Sequence, residues 1–229
     1  MKSVRLDKRL LEILKNVRGD SLADIGCDHG KLAAASVLSR KIKWALACDI
    51  SPKSLNKAKK LIEGLGLSKE IECRDGDGLY PVADGEVDTV VIAGLGGDEI
   101  AKILKNASSQ NKRFSNYVLS PNTRAEKVRA EAMSQGLGIV GDCLILCGKK
   151  YYPVIALSAN DGKTRLSDDE IIFGAEFWND DGFKSWAQDE MNKLSKMIED
   201  VNAPELINRY NGIKRAYEKA SASETLKDI

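Results

Sequence analysis

Between residues 24 and 30 the chain reads Asp-Ile-Gly-Cys-Asp-His-Gly, bringing together two carboxylates, two glycines and the single histidine of the sequence. The run Leu22-Ala-Asp-Ile25 reads as a buried strand and a helical pattern follows Gly30, so Asp24-x-Gly26-x-x-x-Gly30 occupies a strand-to-helix turn. Glycine at 26 lets the backbone turn tightly and lets a ligand approach with no side chain between. The helix N-terminus beyond it offers free N–H groups and a positive dipole end, suited to a carboxylate. Asp24 adds a negative charge suited to an ammonium group. The methionyl end of S-adenosylmethionine carries both groups. A dinucleotide enzyme would prefer GxGxxG here, because a pyrophosphate repels carboxylates, so the leading Asp24 favours S-adenosylmethionine over NAD.

Three later turns extend the pattern. Asp49 ends the second strand, twenty-five residues after Asp24, where an acidic group accepts hydrogen bonds from ribose hydroxyls, and Ile50 lies beside it. Asp77, in Arg74-Asp-Gly-Asp-Gly-Leu79 after the third strand, is placed to read an adenine amino group, with Gly76 and Gly78 leaving room for the ring. Ile92-Ala-Gly-Leu-Gly-Gly97 ends the fourth strand, at the lip where ligands of open α/β sheets sit, and contributes Ala93 and Gly94. The expected cofactor-binding set is therefore Asp24, Gly26, Asp28, His29, Asp49, Ile50, Asp77, Gly78, Ala93 and Gly94, with S-adenosylmethionine as the cofactor. Blander readings stand beside these. Asp75 and Asp77 also suit a capped turn, Asp49 suits a helix cap, and His29 suits packing as well as it suits a general base.

Five scattered cysteines, an odd number with no CxxC spacing, point to neither a disulfide framework nor zinc, and no metal is expected. Cys48 and Cys73 read as small core residues. Cys27, in the turn, is expected to be partly exposed but not nucleophilic, because no Pro-Cys element accompanies it.

The elements that must position these turns alternate. Val4, Leu6, Leu10, Leu11, Ile13, Leu14 and Val17 form the stripe of a first helix, with Gly19 as its stop signal. Helices follow near 29–39, 51–64, 96–106 and 123–135, with Ser51-Pro52 opening the second of these. Strands alternate with them at 22–25, 44–48, 70–73, 87–92 and 117–119. Two more, at 139–146 and 151–157, are separated only by Cys147-Gly148-Lys149-Lys150, which demands an antiparallel hairpin. The fold class is α/β: a seven-stranded, mostly parallel sheet of the class I methyltransferase (Rossmann-like) type. From Ser167 onward the pattern is helical. Phe183, Trp186, Met191, Leu194, Met197 and Ile198 form one stripe, and a second helix starts near Ala203-Pro204. This reads as a coiled-coil-like helical hairpin, fraying after Ala220. The expected division is a cofactor domain over 1–160 and a helical domain over 161–229.

With 43% hydrophobic and 30% charged residues the composition is that of a soluble globular chain. Its apolar runs are short and no signal-peptide pattern opens it, so a cytoplasmic protein without a membrane span is expected. The net charge of +1 hides an asymmetry: residues 159–229 carry ten basic and fifteen acidic side chains, leaving 25 and 19 before them. The first part, not the tail, is thus expected to meet a polyanion.

A specific resemblance rests on motifs occurring in order: Leu22-Ala-Asp-Ile-Gly-Cys-Asp-His-Gly30, Gly76-Asp-Gly-Leu79, Ile92-Ala-Gly-Leu-Gly-Gly97 and Leu119-Ser-Pro-Asn122. Val4-Arg-Leu-Asp-Lys-Arg-Leu10, Gly148-Lys-Lys-Tyr-Tyr152 and Leu166-Ser-Asp-Asp-Glu-Ile-Ile-Phe-Gly174 belong to the same pattern. Together they resemble the bacterial tRNA adenine-22 N1-methyltransferase family along nearly the whole chain. The resemblance implies methyl transfer from S-adenosylmethionine to N1 of an adenine in tRNA. Departures from the family pattern are Cys27 for a usual Ser, Leu95 for Met, Ser120 for Gln and Pro153 for an acidic residue, the last two near the acceptor side.

The residues agree with N1 as the acceptor. Exocyclic amine methylation uses an Asn/Asp-Pro-Pro-aromatic element after the fourth strand, and Ala93-Gly-Leu-Gly-Gly97 stands there instead. Adenine N1 has a lone pair and no proton to lose, so positioning carries the catalysis. Asp28 is the candidate to stabilise the charge that develops on the ring, and Asn122 the candidate to hydrogen-bond the base edge. Lys2, Arg5, Lys8, Arg9, Lys15 and Arg18 are candidate phosphate contacts as a group, although any single one of them is better read as part of a solvated helix face. Tyr151 and Tyr152 are candidates to stack on a flipped base, with one of the two expected in the core. A monomer is favoured. The alternatives are a small-molecule methyltransferase with the tail as a lid, and a cofactor-sensing or tRNA-binding protein without chemistry.

Overall fold

A computed structural model describes residues 4–200 and 203–225; Lys2 lies outside them. Helix α1 (Lys8–Asn16) precedes β1 (Ser21–Ile25), α2 (Lys31–Leu38), β2 (Trp44–Asp49), α3 (Pro52–Leu65) and β3 (Ile71–Asp75). There follow β4 (Thr89–Ala93), α4 (Gly97–Ser109), β5 (Asn116–Ser120), α5 (Ala125–Ser134), β6 (Gly138–Cys147) and β7 (Lys150–Ser158). The sheet order is β3-β2-β1-β4-β5-β7-β6, with β7 antiparallel to both neighbours and the other pairs parallel. Strands β1 and β4 are neighbours in the sheet but not in the chain, so the winding reverses between them and opens a crevice at their C-terminal ends.

Apolar layers cover both faces. Ala23, Ile25, Val90, Ile92 and Leu119 pack with Ile100 and Leu104 of α4 and Val128 of α5. Leu22, Val91 and Val118, of opposite pleat, pack with Ile13 of α1, Ala33 of α2 and Leu55 of α3. Helix α3 begins as expected: the Ser51 hydroxyl accepts the Ser54 N–H, and Pro52 occupies the first turn. Helix α1 starts later than its stripe, because the Asp7 carboxylate accepts the Leu10 N–H at 2.8 Å and caps it there. Val4 and Leu6 stay outside the helix but pack against the same layer. Gly19 is not the helix stop, since α1 ends at Asn16. It is required by a close approach, because a Cβ there would lie 2.3 Å from the Asp88 side chain and φ is +81°.

Beyond the sheet, α6 (Asp168–Phe173) opens with a reciprocal capping box between Ser167 and Glu170. A 3-10 turn at Phe177–Asn179 precedes α7 (Asp181–Asp200) and α8 (Pro204–Thr225), which pack along each other as the helical hairpin. Phe177, Phe183, Leu194, Ile213 and Ala220 are the buried seam, and Phe177 and Phe183 meet edge-to-face at 4.9 Å. The expected stripe holds except at Met197, which is 50% exposed. The helix runs past Ala220 to Thr225, where fraying was expected; residues 226–229 lie outside the description.

The hairpin is anchored to the sheet by polar rivets. Arg129 of α5 donates Nε and Nη2 to the Asp142 carboxylate of β6 at 2.7 and 3.0 Å. Its Nη1 donates to the carbonyls of Ile171 and Ile172. The Asp180 carboxylate accepts the Leu144 N–H, and the Tyr151 hydroxyl donates to Asp189. Among the described residues no helix is long and apolar enough to cross a membrane, and no cluster of His, Cys, Asp and Glu is arranged to hold a metal.

Candidate active site

The turn after β1 is tied to the strand beside it. The N–H groups of Gly26 and Cys27 both donate to the Cys48 carbonyl, at 2.9 and 3.0 Å. Gly26 has φ +73°, and a Cβ there would meet nothing within 4 Å, so its bare side faces open space. Asp28 adopts φ +48°, a left-handed conformation costing a non-glycine residue roughly 1–3 kcal/mol. It is held there by its own N–H, which donates to Asp49 Oδ2 at 3.0 Å. The other oxygen of Asp49 accepts the Ser51 N–H at 2.8 Å. Asp49 therefore fastens the first turn to the second, and each oxygen keeps a lone pair for a ligand. The blander reading of Asp49 as a cap and the ligand reading coexist.

These turns enclose a cleft of about 740 Å³, a size suited to a nucleoside-based cofactor. Asp24, Gly26, Asp28, His29, Asp49, Ile50, Asp77, Gly78, Ala93 and Gly94 all line it. Asp24 is buried, and burial, reinforced by the nearby Asp49 and opposed by the Ala33 N–H, pushes its carboxyl up to about 7. A buried acid with one backbone donor, facing a cleft, is a ready partner for a cation. Ile50 is 66% exposed, an apolar surface left at a strand end beside the cleft. Helix α2 follows Gly30 with no cap from that residue and no acidic residue in its own first turn, although the Asp24 carboxylate of β1 takes the Ala33 N–H. The His29 Nδ1 is paired with the Asp28 carboxylate. Cys27 is buried, where partial exposure was expected, and burial raises its thiol far above the ordinary range. Burial so strong disfavours the thiolate that a nucleophile needs.

Asn122 stands on the rim, in the turn after β5. Its Nδ2 donates to the Gly94 carbonyl at 2.5 Å and its backbone N–H to the Leu95 carbonyl at 2.8 Å. Sequence reasoning missed the residue that completes this corner, Arg9, which read as one cation among six on a helix face. Arg9 lines the cleft, donates Nη1 to Asn122 Oδ1 at 3.0 Å and lies over the Tyr152 ring at 4.6 Å. Leu10, Glu99 and Ile103 also line the cleft and carried no local signal. Neither Tyr151 nor Tyr152 is in the core, contrary to expectation, because both are half-buried on an extended hairpin that other elements cover. Tyr152 faces Arg9 of α1, whereas Tyr151 faces Asp189 of α7. Ser120 is fully buried at the end of β5, and Pro153 lines a second cleft.

That second cleft, about 880 Å³, lies between the turn after β5 and the helical hairpin, and it is this cleft that Asn122 lines, reaching the wall of the first through the Gly94 and Leu95 carbonyls. Arg124, Arg209 and Arg215 line it. Arg124 is paired with Asp98 and Arg209 with Glu190, while Arg215 brings a further cation to the cleft from the acidic tail.

Comparison with known proteins places the chain. Residues 6–155 match a family described as a methyltransferase domain. The tRNA (adenine(22)-N(1))-methyltransferase of Bacillus subtilis (strain 168) is 32% identical over 162 residues, 70% of this chain and 68% of that one. The solved structure of M. capricolum TrmK in complex with S-adenosyl-homocysteine is 33% identical, with a TM-score of 0.83 covering 94% of this chain and 99% of that one. A Streptococcus pneumoniae protein solved in complex with S-adenosyl-L-methionine is 27% identical, with a TM-score of 0.84 over 93% of this chain and 100% of that one.

Proposed function

The chain belongs to the tRNA (adenine-22-N1)-methyltransferase family, and from that membership we propose that the cleft at the ends of β1, β2 and β4 is where it moves a methyl group from S-adenosylmethionine to adenine N1 of tRNA, by placement rather than by base catalysis. The observation that carries this reading is the convergence of all four strand-end turns on one cleft that contains a buried carboxylate.

The residues fit the cofactor. The open side of Gly26, the N-terminus of α2, the buried Asp24, the half-satisfied Asp49 and the bare Ile50 match its carboxylate, ammonium, ribose and adenine in character. Asp24 would hold the ammonium, the α2 N-terminus the carboxylate and Asp49 the ribose hydroxyls, with Ile50, Asp77 and Gly78 at the adenine. When bound, the cofactor supplies an electrophilic methyl group on a sulfonium. The chain's own residues then need to orient a base nitrogen that carries no proton. Asn122 is fixed by two backbone carbonyls on the rim, with Oδ1 directed away from Gly94, and can accept from the exocyclic amine of the target base. Asp28 presents an exposed carboxylate at the cleft, which can stabilise positive charge on the methylated ring.

Asp28→Ala and Asn122→Ala are each expected to lower kcat by about tenfold or more while cofactor affinity stays within about threefold. Full turnover in both variants would remove these roles. The activity itself is read by incubating the protein with labelled cofactor and undermethylated tRNA and mapping reverse-transcription stops. N1-methyladenosine blocks pairing and halts the polymerase, so a labelled tRNA without a stop, or no label at all, defeats the N1 reading.

The arginines of the second cleft, Arg215 above all, support an RNA path from the site toward α8. Arg215→Ala is expected to weaken tRNA binding several-fold and to reduce the salt slope of log K by about one. An unaltered slope in a salt titration of tRNA binding would place the backbone elsewhere.

A further inference from the structure

Arg9 is tied to the rim by two contacts of distinctive geometry. Its guanidinium lies 4.6 Å from the Tyr152 ring centroid, and Nη1 donates to Asn122 Oδ1 at 3.0 Å. The amide of Asn122 cannot turn freely, because Nδ2 is committed to the Gly94 carbonyl and the backbone N–H to that of Leu95. A Cβ at Gly94 would approach Arg9 Nη2 to 3.8 Å, so the guanidinium hangs directly over the turn that forms the cleft wall. Among the described residues no carboxylate is paired with Arg9, whereas Lys15 and Arg124 each have one.

A guanidinium is flat, and its edge is a pair of N–H donors. An adenine is flat, and the edge bearing N1 also carries an exocyclic N–H donor. The two contacts Arg9 makes, a face on a phenol ring and an N–H on an amide oxygen, are those an adenine entering beside the cleft would make. We propose that Arg9 is a placeholder: in the RNA-free enzyme it fills the subsite of the acceptor base, and it vacates Tyr152 and Asn122 when the target adenine enters. This rests on the proposed function and names the acceptor subsite of the same cleft.

Electrostatics requires the exchange. Methyl transfer leaves a positive charge on the adenine ring, and an arginine kept in contact with that ring would oppose it. The displaced cation belongs against an RNA phosphate, which a folded tRNA provides next to its flipped base and a free nucleoside does not. The placeholder thus keeps the subsite closed to free nucleosides and lets a polyanion open it, selecting a base in RNA over the same base alone.

The test uses full-length protein saturated with S-adenosylhomocysteine, with free adenosine as the base probe and nuclear magnetic resonance line broadening as readout. It is paired with steady-state methylation of tRNA. Arg9→Ala is expected to tighten adenosine binding several-fold and to raise KM for tRNA several-fold. Arg9→Lys, which keeps the charge but not the flat stacked face, is expected to recover the tRNA KM while still binding adenosine more tightly than wild type. Tyr152→Ala is expected to weaken adenosine binding in the Arg9→Ala background. If Arg9→Ala weakens or leaves unchanged adenosine binding, Arg9 is a structural prop for Asn122 and the placeholder is wrong. If wild-type protein methylates no tRNA, the functional reading fails instead. Thermal melts of each variant separate unfolding from either outcome, and Arg9→Lys keeps the adenosine arm decisive should Arg9→Ala not fold.

Discussion

Asp24→Asn is expected to raise the Kd for S-adenosylhomocysteine by about 30-fold or more, while making the unliganded protein more stable at pH 8. The first effect follows from removing one partner of a buried charge pair, which costs at least ~2 kcal/mol at about 1.4 kcal/mol per tenfold. The second follows from the raised carboxyl, at about 7 in the folded chain against an ordinary 3.8, chiefly through burial. An acid whose pKa is raised by folding binds a proton more tightly in the folded state. Its contribution is therefore fully present below about 4 and is lost as pH rises through about 7. At pH 8 wild type bears the whole cost of a buried charge, and an asparagine, which can still accept the Ala33 N–H, does not. Even 1 kcal/mol recovered would raise Tm by about 2–4 °C for a chain of this size.

The same linkage sets the pH dependence of cofactor affinity. The ammonium group selects the ionised carboxylate, so binding below pH 7 must expel a proton from Asp24. Titration calorimetry in buffers of different ionisation enthalpy should show proton release at pH 6, vanishing by pH 8 and absent in Asp24→Asn. Equal Kd values for wild type and variant across this range would show that Asp24 does not meet the ammonium.

Arg129→Met is expected to destabilise the protein by about 3–5 kcal/mol, the usual result of stripping one partner from a buried ion pair. The Arg129 and Asp142 side chains are 3% and 1% exposed. Among the described residues the variant would leave the buried Asp142 carboxylate with the Ala175 N–H at 2.8 Å as its remaining hydrogen-bond partner. It would also orphan the carbonyls of Ile171 and Ile172. At about 2–4 °C per kcal/mol, the fall in Tm should be obvious by calorimetry. Adding Asp142→Leu should restore much of it, because the pair costs most when broken by half. A fall below 1 kcal/mol in the single variant would mean that water reaches the pair. The pair joins α5, β6 and α6, so its loss should loosen the helical hairpin before the sheet, visible as faster amide exchange in α7 and α8.

The fold was legible because its signals are local. Strand and helix periods alternate from Leu22 to Leu157, and the four-residue link at 147–150 admits only an antiparallel closure. The cleft was legible for a related reason. In a parallel sheet every strand ends on the same side, so polar and glycine-rich turns that look scattered in sequence, at 24–30, 49–50, 76–78 and 93–94, must gather at one lip. Element ends were less legible. A side-chain cap such as Asp7 on Leu10 stops a helix inside its own apolar stripe, and periodicity does not register it.

In the turn from Asp24 to Gly30 the residue types by themselves determined a tight strand-to-helix turn with two carboxylates on the cleft, because glycine and charge are written in seven consecutive positions. The corner proposed for the acceptor base was assembled only by tertiary structure. Arg9 and Asn122 are 113 residues apart, and nothing near either one marks the other. Alternation along β7 puts Tyr151 and Tyr152 on opposite faces, but which face meets α1 and which meets α7 depends on how those helices dock. Net charge likewise says nothing of which side chains share a face, because a sum over 71 residues does not reveal that Arg209 and Arg215 line one cleft with Arg124. Contacts made within one turn of chain are set by sequence, whereas those made across the sheet require the packing that brings distant segments together.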